Sequence, residues 1–183
     1  MEKLLGFALY ELGNSTDAKK YLLTYLEKSP QDAETILKLG EIAFAEHDYS
    51  TANLYYNNAI FAGYTPKTAI ERKLAYSYSR LSDVPGMMRV LAYLIAEPDA
   101  TEDDTAVAIS LALQNGENLK AYVWASNALI RYKDSPTIVA LSLTSMRLIG
   151  KKDDARAYLD TLSPSLIESP IILLEKGILT LDT

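Results

Sequence analysis

The stretch ILKLGEIAFAEHDYSTANLYYNNAIFAGYTP, residues 36–66, contains two apolar stripes separated by a short polar segment. Ile36 and Ala43 lie two helical turns apart on one face, and a second stripe of the same spacing begins at Ala52. The polar residues that start at His47 interrupt the pattern between the two stripes. The stretch therefore predicts two short helices joined by a tight turn.

Similar turns recur along the chain at a nearly constant interval. Their first residues lie 34 or 35 positions apart, at Gly13, His47, Ser82, Gly116 and Gly150. Five residues after each of them stands a small or flexible apolar residue, namely Ala18, Ala52, Met87, Ala121 and Ala155. Seven residues before the turn, the first three units have a small residue, which lets two helices approach closely: Gly6, Gly40 and Ala75. The last two units have larger residues at this position, Ile109 and Leu143. Such a period is typical of stacked helical repeats, because one helix pair cannot bury its own apolar face.

These positions resemble the tetratricopeptide repeat, a unit of two helices with a Leu-Gly pair in the first, an alanine early in the second and a proline near its end. In the first repeat the matching residues are Leu5-Gly6, Ala18 and Pro30. In the second they are Leu39-Gly40, Ala52, Ala59 and Pro66, and in the third Leu74-Ala75 and Pro98. The fourth and fifth repeats keep their alanines without the Leu-Gly pair, so they match by spacing more than by identity. The resemblance implies an all-α, right-handed α-solenoid of five such repeats plus a C-terminal helix.

We expect a single repeat domain over residues 1–183. The repeats are predicted at about 1–32, 33–66, 67–100, 101–135 and 136–169, followed by an extra helix over 170–183. Their helices are predicted at 3–12, 16–28, 33–46, 50–62, 67–81, 85–96, 103–115, 119–132, 136–149 and 153–162. Ser15 or Thr16 is predicted to cap the second helix and Thr101 the seventh.

The extra helix has the register of the first helix of a sixth repeat, because Gly177 follows Gly40 by a whole number of repeats. The segment from Ile171 to Leu181 is strongly apolar and lacks the polar outer face that normally ends a stack. We therefore expect this domain to be part of a longer chain, or its end to be covered by another subunit.

Composition excludes several classes of protein. The chain has no cysteine among its 183 residues, which excludes disulfide bonds and thiolate metal sites and leaves cytoplasm and periplasm equally open. A formal net charge of −6 disfavours binding to nucleic acid or to an anionic membrane surface. No apolar run approaches the roughly 20 residues that a membrane-spanning helix needs.

Catalytic chemistry has little support in the sequence. The sole histidine, His47, takes a turn position that is glycine in three sister repeats. The adjacent acidic pairs Asp103-Asp104 and Asp153-Asp154 stand near helix starts, where the helix dipole explains them. We predict no catalytic residue, no metal site and no cofactor, and hence no enzyme.

The resemblance also implies a binding groove. In tetratricopeptide arrays the face of the first helices that is not used for packing lines a concave groove for a partner peptide. Transferred to this sequence, the groove residues include Phe7, Tyr10, Leu37, Glu41, Phe44, Arg72, Tyr76, Arg80, Leu113 and Arg147. Aromatic and arginine side chains are enriched at binding surfaces. The tyrosines of the second helices, such as Tyr56, are expected to pack between repeats with the hydroxyl at the rim.

Arg72 and Arg80, two helical turns apart, suit an acidic side chain or a C-terminal carboxylate of a partner. The alternative is that both form ion pairs with neighbouring acids such as Glu71.

We therefore predict a non-enzymatic scaffold that binds a partner peptide or protein in this groove. Two alternatives stay open: a homo-oligomerising structural module that self-associates through the segment from Ile171 to Leu181, and a docking domain of a larger enzyme or secretion assembly. An RNA-binding helical repeat fits least, because its groove should be basic.

Overall fold

The computed structural model describes residues 1–181 and contains twelve α-helices and no strand within that range. The all-α prediction is confirmed. The helices are α1 (Glu2–Glu11), α2 (Ser15–Leu26), α3 (Ala33–Ala45), α4 (Tyr49–Phe61), α5 (Thr68–Arg80), α6 (Val84–Leu94), α7 (Glu102–Gln114), α8 (Asn118–Arg131), α9 (Pro136–Leu148), α10 (Lys152–Leu159), α11 (Pro164–Ile167) and α12 (Pro170–Leu181). The last two residues of the predicted helix 170–183 lie outside the described residues.

All five predicted turns begin with a residue in the left-handed backbone region. The φ angles are 77° at Gly13, 61° at His47, 56° at Ser82, 72° at Gly116 and 83° at Gly150. In this conformation the chain bonds back to the helix it has just left, as the Gly13 and Asn14 amides do to Tyr10 and Leu9. His47 and Ser82 adopt the same backbone with a Cβ present, which costs conformational energy that glycine does not pay.

We expect Ser82→Gly to stabilise the protein by about 1 kcal/mol, because glycine removes the Cβ strain at a φ of 56°. The measurement is urea unfolding followed by far-UV circular dichroism. Gly116→Ser is the matched reverse change in another repeat, and it should lower the free energy of unfolding by a similar amount. If Ser82→Gly were less stable than the unchanged chain, the serine side chain would stabilise the protein by more than the backbone strain costs.

Polar side chains cap the helices just before their first residue. Six of them accept a hydrogen bond from the amide three positions later: Asn14, Asp32, Asp48, Asp83, Thr101 and Ser135. The predicted cap at Thr101 is confirmed. The Asp104 carboxylate also accepts a hydrogen bond from the Thr101 amide at 2.8 Å, which completes a capping box. The prediction of Ser15 or Thr16 for α2 is wrong, because α2 already begins at Ser15 and the capping residue must precede the helix.

Small residues allow the two helices of a pair to approach closely. A Cβ on Gly40 would lie 2.8 Å from ring atoms of Tyr56, and one on Gly6 would lie 2.5 Å from Cδ2 of Leu22. The predicted alanines of four second helices are fully buried, namely Ala18, Ala52, Ala121 and Ala155. The third pair differs, because Met87 is only half-buried and the neighbouring Gly86 is buried against Tyr78.

The chain divides into two compact units, Met1–Leu94 and Ile95–Thr183, called unit 1 and unit 2 below. The boundary falls at the end of α6, inside the third predicted repeat and shortly before its predicted end. One core of unit 1 joins Ala18 and Leu22 of α2 to Leu39 and Ile42 of α3.

The core of unit 2 includes Leu143 of α9, Leu159 of α10 and Ile172 of α12. Between α10 and α12 lies α11, a single turn that begins at Pro164 and is not among the predicted helices. A proline is favourable at the first position of a helix, since that residue needs no amide donor.

Candidate protein-binding face

Eight of the ten predicted groove residues belong to the first helices of unit 1, that is, to α1, α3 and α5. All eight are exposed or half-buried, and none belongs to the core: Phe7, Tyr10, Leu37, Glu41, Phe44, Arg72, Tyr76 and Arg80. We call the surface that they form on these three helices the first-helix face.

A lysine connects α3 to the aromatic residues of α1. Lys38 Nζ lies 4.1 Å from the centroid of the Tyr10 ring and 5.8 Å from that of Phe7. A second lysine, Lys3, lies 5.4 Å from the Phe7 centroid. Ammonium groups at these distances are attracted to the ring faces. The two aromatic residues of α1 therefore lie next to positive charge that is directed at their ring faces.

Carboxylates balance these lysines. Lys3 Nζ lies 3.0 Å from Asp32 and 2.8 Å from Glu34, and Lys38 Nζ lies 3.7 Å from Glu11. Burial raises the pKa of Asp32, but hydrogen bonds from Thr35 and Lys3 outweigh it and leave the pKa below its usual value. Asp32 is thus ionised while it caps α3 and pairs with α1.

An aromatic cluster occupies the junction of α3 and α5. The Phe44 centroid lies 5.6 Å from that of Tyr76 and 5.7 Å from that of Tyr49, and the two tyrosine rings are 6.0 Å apart. Edge-on and tilted contacts of this kind stabilise aromatic pairs. Lys73 of α5 forms an ion pair with Glu41 and lies 5.9 Å from the Phe44 centroid. Tyr76 remains 50% exposed, so the cluster presents an aromatic surface to solvent.

Tyr56 lies beneath this cluster, with its centroid 6.2 Å from that of Phe44. Its side chain is fully buried and its hydroxyl has no hydrogen-bond partner among the described residues. Burial, with the nearby Glu41 carboxylate, raises the pKa of the Tyr56 phenol above its ordinary value. The expectation that this hydroxyl reaches the rim is therefore wrong, because the ring fills the space over Gly40.

Arg72, Tyr76 and Arg80 follow one another at intervals of four residues along α5. This spacing places the three side chains on one side of the helix. Both arginines are exposed, and within residues 1–181 Arg80 forms neither a hydrogen bond nor an ion pair. The exposed aromatic ring is thus flanked by two guanidinium groups on the same helix.

The two remaining predicted residues belong to unit 2. Leu113 is half-buried near the end of α7. The Nε atom of Arg147 on α9 lies 3.5 Å from Oε2 of Glu175 on α12. The two side chains are only 19% and 11% exposed. The Arg147 guanidinium therefore faces a carboxylate within unit 2, an ion pair in which neither Nε nor Oε2 has a hydrogen-bond partner among the described residues.

Three side chains outside the ten predicted residues complete the first-helix face. Lys38 and Lys73 stand 35 residues apart at the same position of successive repeats, and each reaches an aromatic residue of the preceding first helix. A recurring cation next to a predicted groove position is the signal that could have identified them. Tyr49 enters the aromatic cluster from α4, and nothing in the first-helix pattern indicates it.

No group of three or more histidine or acidic side chains is placed to hold a metal ion in the part of the chain that the structure describes. In the same part, no helix is both long and apolar enough to cross a membrane.

Comparisons with known proteins agree with the helix-pair architecture. Residues 4–32 match the model of the tetratricopeptide repeat family, and a comparison with curated protein sequences gives no match. The solved structure of YrrB, described as a TPR protein with an unusual peptide-binding site, is 12% identical, covers 96% of this chain and 90% of its own, and has a TM-score of 0.60. MamA is 16% identical over 91% of this chain and 88% of its own, with a TM-score of 0.59.

A tetratricopeptide repeat protein from Parabacteroides merdae is also 16% identical, over 98% of this chain and 71% of its own, with a TM-score of 0.59. At sequence identities this low, the similarity to these solved structures is evidence for the fold alone. The chain has the tetratricopeptide repeat fold, which generally serves protein–protein interaction.

Proposed function

We propose that this chain, a tetratricopeptide repeat protein by fold and by its first repeat, is a non-enzymatic scaffold that binds a peptide segment of a partner on the first-helix face of unit 1. The observation that carries the proposal is Tyr76, a half-exposed ring backed by Phe44 and Tyr49 and flanked by Arg72 and Arg80. Rigid aromatic residues and arginines of this kind provide most of the binding energy at protein interfaces.

The chemistry of the face favours a particular peptide. An apolar or aromatic side chain of the partner would pack on Tyr76, where ring atoms are already ordered by their neighbours. A carboxylate of the partner would pair with Arg80, which needs no existing ion pair to break. The formal net charge of −6 for the whole chain supports a protein ligand over nucleic acid.

The proposal is tested by selecting peptides from a random phage-displayed library against the full chain. We expect the selected peptides to combine an acidic residue with an aromatic or large apolar one. The double variant Tyr76→Ala with Arg80→Ala should weaken the best peptide at least about tenfold in fluorescence polarisation, since it removes a packed ring and a charge-assisted hydrogen bond.

Phe61→Ala is the matched control for this selection, because Phe61 is an exposed aromatic residue on α4 that makes no ring contact with any described residue. This control should bind the peptide as the unchanged chain does. Equal binding by the Tyr76→Ala, Arg80→Ala variant would place the site elsewhere. Circular dichroism should show unchanged helicity in all variants, because the replaced side chains are exposed.

A further inference from the structure

The first-helix face has an acidic edge on α1 and a basic edge on α5. The helices α1, α3 and α5 end at Glu11, Ala45 and Arg80, each two residues before the first residue of its turn. All three residues are exposed, and they occupy the same position of successive repeats. We call these three residues the last-turn row. The row changes from a carboxylate on α1, through a methyl group on α3, to a guanidinium on α5.

The Glu11 carboxylate opposes the dipole of its own helix. The C-terminal end of a helix carries partial negative charge, which disfavours an acidic residue there and favours an arginine such as Arg80. Lys38 approaches the Glu11 carboxylate at 3.7 Å and also lies 4.1 Å from the Tyr10 centroid. The Glu11 side chain is 73% exposed and that of Lys38 only 23%, so solvent meets the carboxylate more than the ammonium group. Helix stability therefore does not account for Glu11, and a ligand at this edge meets negative charge.

Side-chain contacts connect the two edges. Lys38 of α3 joins α3 to α1 by its contacts with Glu11 and Tyr10. The ion pair between Lys73 and Glu41 joins α5 to α3. Because neighbouring packed helices lie about 8–10 Å apart, the two charged ends of the last-turn row are separated by roughly 20 Å. An extended peptide covers that distance in about six residues.

Aromatic rings border the middle of the row. Ala45 itself contributes only a methyl group, and the half-buried ring of Phe44 precedes it on α3. Glu46, the residue that follows, lies 3.7 Å from Lys19 of α2. On α5, the exposed ring of Tyr76 lies one turn before the end of the helix. A segment that crosses the row thus meets aromatic rings between two opposite charges.

We infer that the first-helix face recognises a bipolar segment of the partner, in which a lysine or arginine and an aspartate or glutamate stand about six residues apart. The inference rests on the proposed function and adds Glu11 as a second determinant of specificity. The basic side chain of the segment pairs with Glu11, its acidic side chain pairs with Arg80, and an apolar residue between them packs on Tyr76. A segment with acids at both ends is disfavoured, because it places like charges together at Glu11.

The test uses three seven-residue peptides with acetylated and amidated ends, KSGSFSE, ESGSFSE and QSGSFSE. In an extended peptide their first, fifth and seventh side chains point to the same side. Each peptide is titrated into the ¹⁵N-labelled full chain, and its Kd is measured from the amide chemical shifts of α1, α3 and α5. We expect KSGSFSE to bind at least about fivefold more tightly than ESGSFSE, with QSGSFSE between them, since an exposed attraction replaces a repulsion.

Glu11→Arg should invert this order, so that ESGSFSE binds more tightly than KSGSFSE. The variant should keep the helicity and melting temperature of the unchanged chain, because Glu11 is exposed and an arginine suits the end of a helix. Glu27→Arg is the matched control, since it makes the same change of charge at an exposed residue that follows α2 and lies outside the first-helix face. This control should leave the order of the three peptides unchanged.

The outcomes separate this inference from the proposed function. Equal affinity for the three peptides, with binding that Tyr76→Ala abolishes, would overturn the bipolar segment and leave the proposed function standing. The same order of affinities in Glu11→Arg as in the unchanged chain would also overturn it, because Glu11 would then have no part in recognition. If no peptide gave a saturable shift, the bipolar segment would be wrong, and the selection from the random library would decide the proposed function by itself.

Discussion

Gly40→Val will destabilise the protein by about 3 kcal/mol in urea unfolding, the largest loss that we expect from adding atoms to a single residue. The added Cβ would lie 2.8 Å from two ring atoms of Tyr56 and 3.2 Å from Cβ of Tyr55. Tyr56 is fully buried, so its ring has no free space into which it can move. The two helices must therefore separate, and the contacts around Leu39 and Ile42 are lost with them.

Gly177→Val is the matched control, since it makes the same change at the equivalent position of α12, where the space is open. There the substitution should alter the free energy of unfolding by less than about 0.5 kcal/mol, the difference in helix propensity between the two residues. A similar loss of stability at both positions would show that helix propensity, and not the contact with Tyr56, determines the effect at Gly40.

Glu175→Leu should destabilise the protein by about 2–3 kcal/mol, because it leaves the Arg147 guanidinium without its counter-charge in a site that is largely closed to water. The double variant Arg147→Met with Glu175→Leu removes both charges and places apolar side chains between α9 and α12. It should recover most of the lost stability, since an ion pair of this kind is often no more stabilising than apolar residues of similar volume.

Urea unfolding of the two single variants and the double variant forms a double-mutant cycle that measures the coupling between Arg147 and Glu175. Additive losses would mean that the two groups act independently despite the 3.5 Å between Nε and Oε2. In that case the position of α12 would depend on its buried apolar residues Ile172 and Leu179 and on the hydrogen bond from Arg156 to the Leu179 carbonyl.

The regular spacing of turns predicted much of the fold, because a turn of this type depends on local backbone conformation. All five predicted turn residues have positive φ, including His47 and Ser82, which are not glycine. The capping of α2 was predicted one or two residues too late, at Ser15 or Thr16, since Asn14 suits the position equally well and only the helix start decides between them. The turn at Pro164 was missed because a proline that ends one helix and a proline that begins another look alike in sequence.

The helices that carry the candidate site were predictable from the sequence, whereas several of the side-chain contacts within it were not. The family resemblance selected Phe44 and Tyr76, which the structure places 5.6 Å apart, but not Tyr49, which joins them from the next helix. It selected Arg147 as a groove residue, and the structure shows this guanidinium paired with Glu175, which lies 28 residues further along the chain. A pairing over that distance has no signature in local periodicity.

The sequence by itself determined the helices, the turns between them and the register of successive repeats, because each follows from backbone preferences and apolar spacing within about ten residues. Tertiary structure alone decided which side chains of separate helices meet. Phe44 and Tyr49 belong to different helices and are joined in one cluster with Tyr76, and Arg147 faces Glu175 although 28 residues separate them. The physical reason is that such contacts depend on how packed helices place their side chains in space, which the spacing along one helix leaves open.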